Sequence, residues 1–126
     1  MVLLLFACFQ EAKEAPTGAD LLADYSSSYC DVHVQSDCGI ALASCGAPAM
    51  VFQDTDACLE ANRNAAEGCE NLEQAFLGSA DIVQACIDTL SNAASSCSEE
   101  DLCPNGATIF EEGDCAEVLA LISDCG

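Results

Sequence analysis

The chain has 126 residues and a formal net charge of −20, with only Lys13 and Arg63 as strong bases against 22 carboxylates. Nothing in it can neutralise a phosphate backbone, which excludes nucleic acid as a partner, and an anionic membrane surface repels the folded domain. Although 52% of the residues are apolar, many of these are Ala and Cys and there is no Trp, so one domain of this size has a thin core and draws stability from its cysteines.

The segment Met1–Ala7, MVLLLFA, is apolar and leads into Cys8. It is far too short to span a bilayer, which takes about 20 residues, and it has no positive n-region. Leu5-Phe6-Ala7-Cys8 resembles a bacterial lipobox, in which a small residue precedes the cysteine that is lipidated. Cys8 is therefore the lipidation candidate, and a lipid anchor there is the expected link to a membrane. Residues 1–7 read as a signal-like segment. Residues 8–18, with Pro16 and Gly18, read as a flexible tether, and residues 19–126 as the disulfide-rich domain. Setting Cys8 aside leaves ten cysteines, Cys30, Cys38, Cys45, Cys58, Cys69, Cys86, Cys97, Cys103, Cys115 and Cys125. An even set of that size predicts five disulfides and an oxidising compartment.

The expected fold is all-α, a small stapled bundle of repeated helices. Asp20–Cys38 is the first helix candidate, with Leu22, Tyr25, Tyr29 and Val32 at helical spacing, a capping-box pattern at Thr17–Asp20 and Gly39 as its stop. Ile40–Phe52 has room for one helical turn around Leu42. Asp54 or Thr55 starts the next helix. Glu70–Leu77 is a short helix with Leu72, Phe76 and Leu77 inward, and Gly78 ends it. Ser79 then caps a central helix whose buried face is Ile82, Val83, Cys86, Ile87 and Leu90. Ser98 caps a single turn, Pro104-Asn105-Gly106 is a turn, and a last helix starts at Asp114. Ala107–Phe110 carries the one tempting strand signal.

Two of these helices are copies. In Ala57–Cys69 (ACLEANRNAAEGC) and Ala85–Cys97 (ACIDTLSNAASSC), the matches are Ala57/Ala85, Cys58/Cys86, Asn64/Asn92, Ala65/Ala93, Ala66/Ala94 and Cys69/Cys97. Asp114–Cys125 is a looser third copy with one residue fewer between its cysteines. Eleven positions separate the cysteines in each of the first two units, which is three turns plus about 20° on a helix. Both cysteines thus share a face, yet they lie about 16 Å apart along the axis, beyond the roughly 7 Å Cα separation a disulfide allows. Each must reach a neighbouring element. Two such helices lying antiparallel would pair Cys58 with Cys97 and Cys69 with Cys86. This clamped hairpin is the favoured arrangement; the rival is local bonding within each repeat after fraying of its second cysteine.

Catalytic groupings are missing from the pattern. Zinc and iron–sulfur sites want cysteines two to four residues apart, whereas the closest pair, Cys97 and Cys103, has five residues between. No metal and no cofactor are expected. His33 is the only histidine; it lies between Val32 and Val34 and reads as structural. There is no Gly-x-Ser-x-Gly elbow and no phosphate-cradling loop. The carboxylates at Glu99-Glu100-Asp101 and Glu111-Glu112-Gly113-Asp114 lack the aromatic cleft of a glycosidase. Asp54-x-Asp56 opens a calcium-loop pattern that Cys58 and Leu59 do not continue, and helix capping explains it better.

The segment Leu22–Cys38, with Tyr29-Cys30 followed by Cys38 and Gly39, and the units Ala57–Cys69 and Ala85–Cys97 resemble the small cysteine-rich lipoproteins predicted in myxobacteria and their relatives. The resemblance implies an exported, disulfide-stapled helical domain and no assigned activity. The expected function is a non-enzymatic exported envelope protein, lipid-anchored at the outer membrane or cell surface, or periplasmic or extracellular. It would serve a structural role or bind an envelope protein partner. The alternative is a carrier of an apolar small molecule, with a tunnel lined by residues such as Leu90, Leu119 and Ile122. That plan is similar in outline only to elicitins and plant lipid-transfer proteins.

Overall fold

The computed structural model describes residues 16–46 and 52–125, with the side chain of Cys125 outside that set. Among the described residues there are seven helices and no strand: α1 Gly18–His33, α2 Ser36–Ser44, α3 Thr55–Glu67, α4 Leu72–Gly78, α5 Ala80–Ser96, α6 Glu99–Leu102 and α7 Asp114–Cys125. The all-α, disulfide-stapled bundle read from the sequence is the fold observed. Cys8 and the signal-like segment lie outside the described residues.

Helix α1 begins with the capping box foreseen at Thr17. The Asp20 amide donates to Thr17 Oγ1 and the Thr17 amide to Asp20 Oδ2, each at 3.1 Å. Thr17 and Gly18 therefore belong to the folded domain rather than to a tether. Gly18 is obligatory for packing: a Cβ there would overlap the backbone carbonyl of Glu73, so the start of α4 sits directly on the start of α1. Along α1, Leu21, Tyr25, Ser28 and Val32 are buried at helical spacing. This stripe faces α5, the helix with which α1 packs most extensively. α5 contributes Val83, Cys86, Ile87, Leu90 and Ala93, all buried. Leu72 and Phe76 of α4, Leu102 of α6 and Val118 of α7 close the same core.

Four disulfides are described. They join Cys30 to Cys58, Cys38 to Cys97, Cys45 to Cys103 and Cys86 to Cys115, with Cα separations of 5.7, 4.4, 6.5 and 4.7 Å. Cys69 is disulfide-bonded as well. The clamped hairpin with Cys58–Cys97 and Cys69–Cys86 is not formed. The repeat helices α3 and α5 do not pack as a pair; each packs on α1 instead. With α1 between them, Cys58 meets Cys30 of α1, Cys97 meets Cys38 of α2, and Cys86 meets Cys115 of α7.

Three further details depart from the sequence reading. The helix expected over Asp20–Cys38 breaks at Val34 and Gln35, where Gln35 is extended (φ −92°, ψ 124°). Its side-chain amide donates to the Asp31 carbonyl at 2.8 Å and to the Ala94 carbonyl at 3.0 Å. The break is thereby tied to the end of α5, and it turns Cys38 towards Cys97 while Cys30 stays with α3. Gly39 is then an interior, buried residue of α2 rather than a stop. Leu77 is 51% exposed rather than inward, because Leu72 and Phe76 already fill the α4 side of the core. Ala107–Phe110 forms turns, with the Ile109 amide donating to the Leu102 carbonyl at 2.9 Å.

Aromatic rings run along α1, with Tyr25 and Tyr29 5.9 Å apart. Tyr25 meets Phe76 edge-on at 5.7 Å. Tyr29, His33 and Phe110 form a group, with His33 centroids 4.1 Å from Tyr29 and 5.0 Å from Phe110. His33 is buried among these rings. The Tyr25 hydroxyl is buried and makes no hydrogen bond among the described residues. Burial, and then the neighbouring Tyr29, push its ionisation well above the ordinary tyrosine range. The folded state thus keeps Tyr25 neutral where the unfolded chain ionises it, near pH 10. Its linkage leaves stability unaffected below that pH and erodes it as pH rises above. Tyr25→Phe removes an unpaired buried hydroxyl and is expected to match or exceed the parent at pH 7, by up to about 1 kcal/mol. It should also lose less stability between pH 9 and pH 11. Urea midpoints across that range check both outcomes.

Candidate functional site

The face of α1 opposite the core is made of small side chains. Ala19, Leu22, Ala23 and Ser26 follow one another at i, i+3, i+4 and i+7, with Ser27 at the edge. Helix α3 offers the same spacing in Leu59, Asn62, Arg63 and Ala66. With Ala19, Ala23 and Ser26 on the α1 side, the space opposite Leu59, Asn62 and Ala66 of α3 is not filled. A cleft of about 430 Å³ remains, lined by these residues and by Glu73 of α4.

Covalent and backbone constraints at the two ends hold the cleft open. At one end the Cys30–Cys58 bridge joins the C-terminal part of α1 to the N-terminal part of α3, and Asn62 Nδ2 donates to Cys30 Sγ at 3.3 Å. At the other, the chain leaves α3 and sets Glu73 against Gly18. The two helices therefore run antiparallel. The N-terminus of α3 is fixed by Asp54, whose carboxylate accepts from the Ala57 amide at 2.8 Å; this capping role accounts for the Asp54-x-Asp56 pattern. Within α3 only Cys58 is buried, and Leu59, Asn62 and Ala66 are half-buried. α3 is thus an outlying helix, packed on α1 and tied to it by the Cys30–Cys58 bridge.

The other sequence candidates are spread over the fold. Leu90 is fully enclosed in the core, and Leu119 and Ile122 are half-buried on α7. None of the three lines the cleft described above. The apolar space lies instead between α1 and α3. Of the acidic clusters, Ser98 caps α6 by accepting from the Asp101 amide at 3.2 Å, and Asp114 opens the first turn of α7. Among the described residues no group of three or more His, Cys, Asp and Glu could hold a metal ion, and no helix is long and apolar enough to cross a membrane. The Cys8 site and the Cys125 side chain lie outside the described set. The cleft was missed in the sequence because its signal, an i, i+3, i+4, i+7 stripe on each of two different helices, small on α1 and mixed on α3, does not reveal that the helices are neighbours.

Comparison with known proteins adds no relative: no family model, no curated protein and no solved structure matches the chain.

The Cys30–Cys58 bridge closes a 28-residue separation, and its loss is expected to cost about 3–4 kcal/mol. In the Cys30→Ala/Cys58→Ala protein, hydrogen exchange should show α3 amides losing more protection than those of α5. An equal loss in both helices would mean that the Cys30–Cys58 bridge does not hold the N-terminal part of α3.

Proposed function

We propose that the chain is a non-enzymatic, exported binding module of the cell envelope, held to a membrane by a lipid on Cys8 and engaging an envelope partner through the α1–α3 cleft. The observation that carries this reading is the cleft itself. It is an apolar groove, bounded by Leu22, Leu59 and alanines, beside a buried core that the disulfides cross-link. Grooves between helices are where partner helices and apolar ligands dock. Disulfides of this density belong to an oxidising compartment, which supports export. The lipobox-like Leu5–Cys8 supports the anchor. A second reading, a carrier of an apolar small molecule, is favoured by the mainly apolar lining of a cleft of about 430 Å³, a size within the roughly 300–1,000 Å³ of small-molecule sites.

Nile red, an uncharged apolar dye, tests the groove. Its fluorescence should rise on mixing with the oxidised protein, and Ala66→Phe, which fills the cleft from the half-buried side of α3, should reduce that rise at least fivefold while leaving near-ultraviolet circular dichroism unchanged. No dye response, or a response indifferent to Ala66→Phe, contradicts the reading. The intact mass of protein from its own host tests the anchor: a diacylglyceryl group on Cys8 is expected, and an unmodified Cys8 would remove it.

A further inference from the structure

We propose that the occupant of the α1–α3 groove is a basic amphipathic helix presented by a partner protein; this rests on the reading of the groove as a binding surface. Two observations select it. The first is length. The α1 lining runs from Ala19 to Ser27, eight steps along the helix, which is about 12 Å. A guest helix with apolar anchors at i, i+4 and i+7 spans about 10.5 Å and fits that track.

The second is charge. Four lining residues are each followed directly by an exposed carboxylate: Ala19 by Asp20, Ala23 by Asp24, Leu59 by Glu60 and Ala66 by Glu67. One residue further along a helix is about 100° further round it, so both helices carry acidic residues beside their lining stripe. Glu73 adds a carboxylate to the lining itself, and Arg63 is the only base there. An apolar trough flanked by acid on both helices complements a helix whose apolar stripe is flanked by lysine or arginine, and the net charge of −20 steers such a partner in. A second copy of the chain would bring another −20 and be repelled. A fatty acid would set its carboxylate among these acids with Arg63 alone to receive it.

The test uses a fluorescein-labelled 14-residue peptide of leucine and lysine, its leucines at helical spacing, and a scrambled peptide of the same composition. Anisotropy at 0.15 M salt should show the patterned peptide binding the full oxidised protein at least tenfold more tightly than the scrambled one. Ala66→Phe, and independently Ala23→Phe, should each abolish that preference, and Asp24→Lys/Glu60→Lys should weaken binding at least tenfold. Equal affinity for the two peptides, or a preference that survives both groove-filling variants, overturns the proposal. Displacement of Nile red separates the two levels of the argument. If the dye binds in the groove but a dansylated fatty acid displaces it and the peptide does not, the groove stands and the helical occupant falls. If the dye itself does not bind, both fall.

Discussion

Helix α1 is packed on two opposite sides, and the remaining helices are arranged by that constraint. Its core side, Leu21, Tyr25, Ser28 and Val32, is buried against α5 and α4. Its other side, Ala19, Leu22, Ala23 and Ser26, faces α3 across a cleft. The difference between the sides is one of side-chain volume. Large residues make a filled interface, which excludes water and supplies the hydrophobic stabilisation. Ala19, Ala23 and Ser26 reach less far, and a gap opposite Leu59, Asn62 and Ala66 of α3 stays open. The same helix thus sets where the protein is solid and where it is open.

Disulfides supply what the thin core does not. Each described bridge spans between 28 and 59 residues of sequence, so each restricts long stretches of the unfolded chain. Their placement follows the packing. Cys86–Cys115 fastens α7 to α5 within the core, and Cys38–Cys97 and Cys45–Cys103 fasten α2 to the end of α5 and to α6. Cys30–Cys58 holds the N-terminal part of α3, and Cys69, just beyond its C-terminal end, is bridged as well. Cys97 takes a left-handed conformation, φ 48°, which is uncommon for a residue other than glycine; it ends α5 and is held there by its bridge to Cys38.

Much of the local structure was legible in the sequence, because it depends on neighbours along the chain. The Thr17 capping box, the Asp54 and Ser98 caps, and the buried stripe of Val83, Cys86, Ile87 and Leu90 all rest on residues within a turn or three of one another. The cysteine pairing was not legible. Spacing showed that Cys58 and Cys69, or Cys86 and Cys97, could not bond within one straight helix. It did not show which helix would lie alongside, and resemblance between the two repeats drew them together when α1 in fact separates them. The break at Gln35 was equally hidden, since one of the bonds that stabilises it comes from Ala94, 59 residues away. The cleft was hidden for the same reason.

The central claim is that α1 stands between the repeat helices, and it is tested most directly by mapping disulfide-linked peptides from the unreduced protein by mass spectrometry. The account predicts linked peptides for Cys30–Cys58, Cys38–Cys97, Cys45–Cys103 and Cys86–Cys115. Recovery of Cys58–Cys97 and Cys69–Cys86 instead would place α3 directly against α5, and neither the arrangement around α1 nor the cleft beside it would survive.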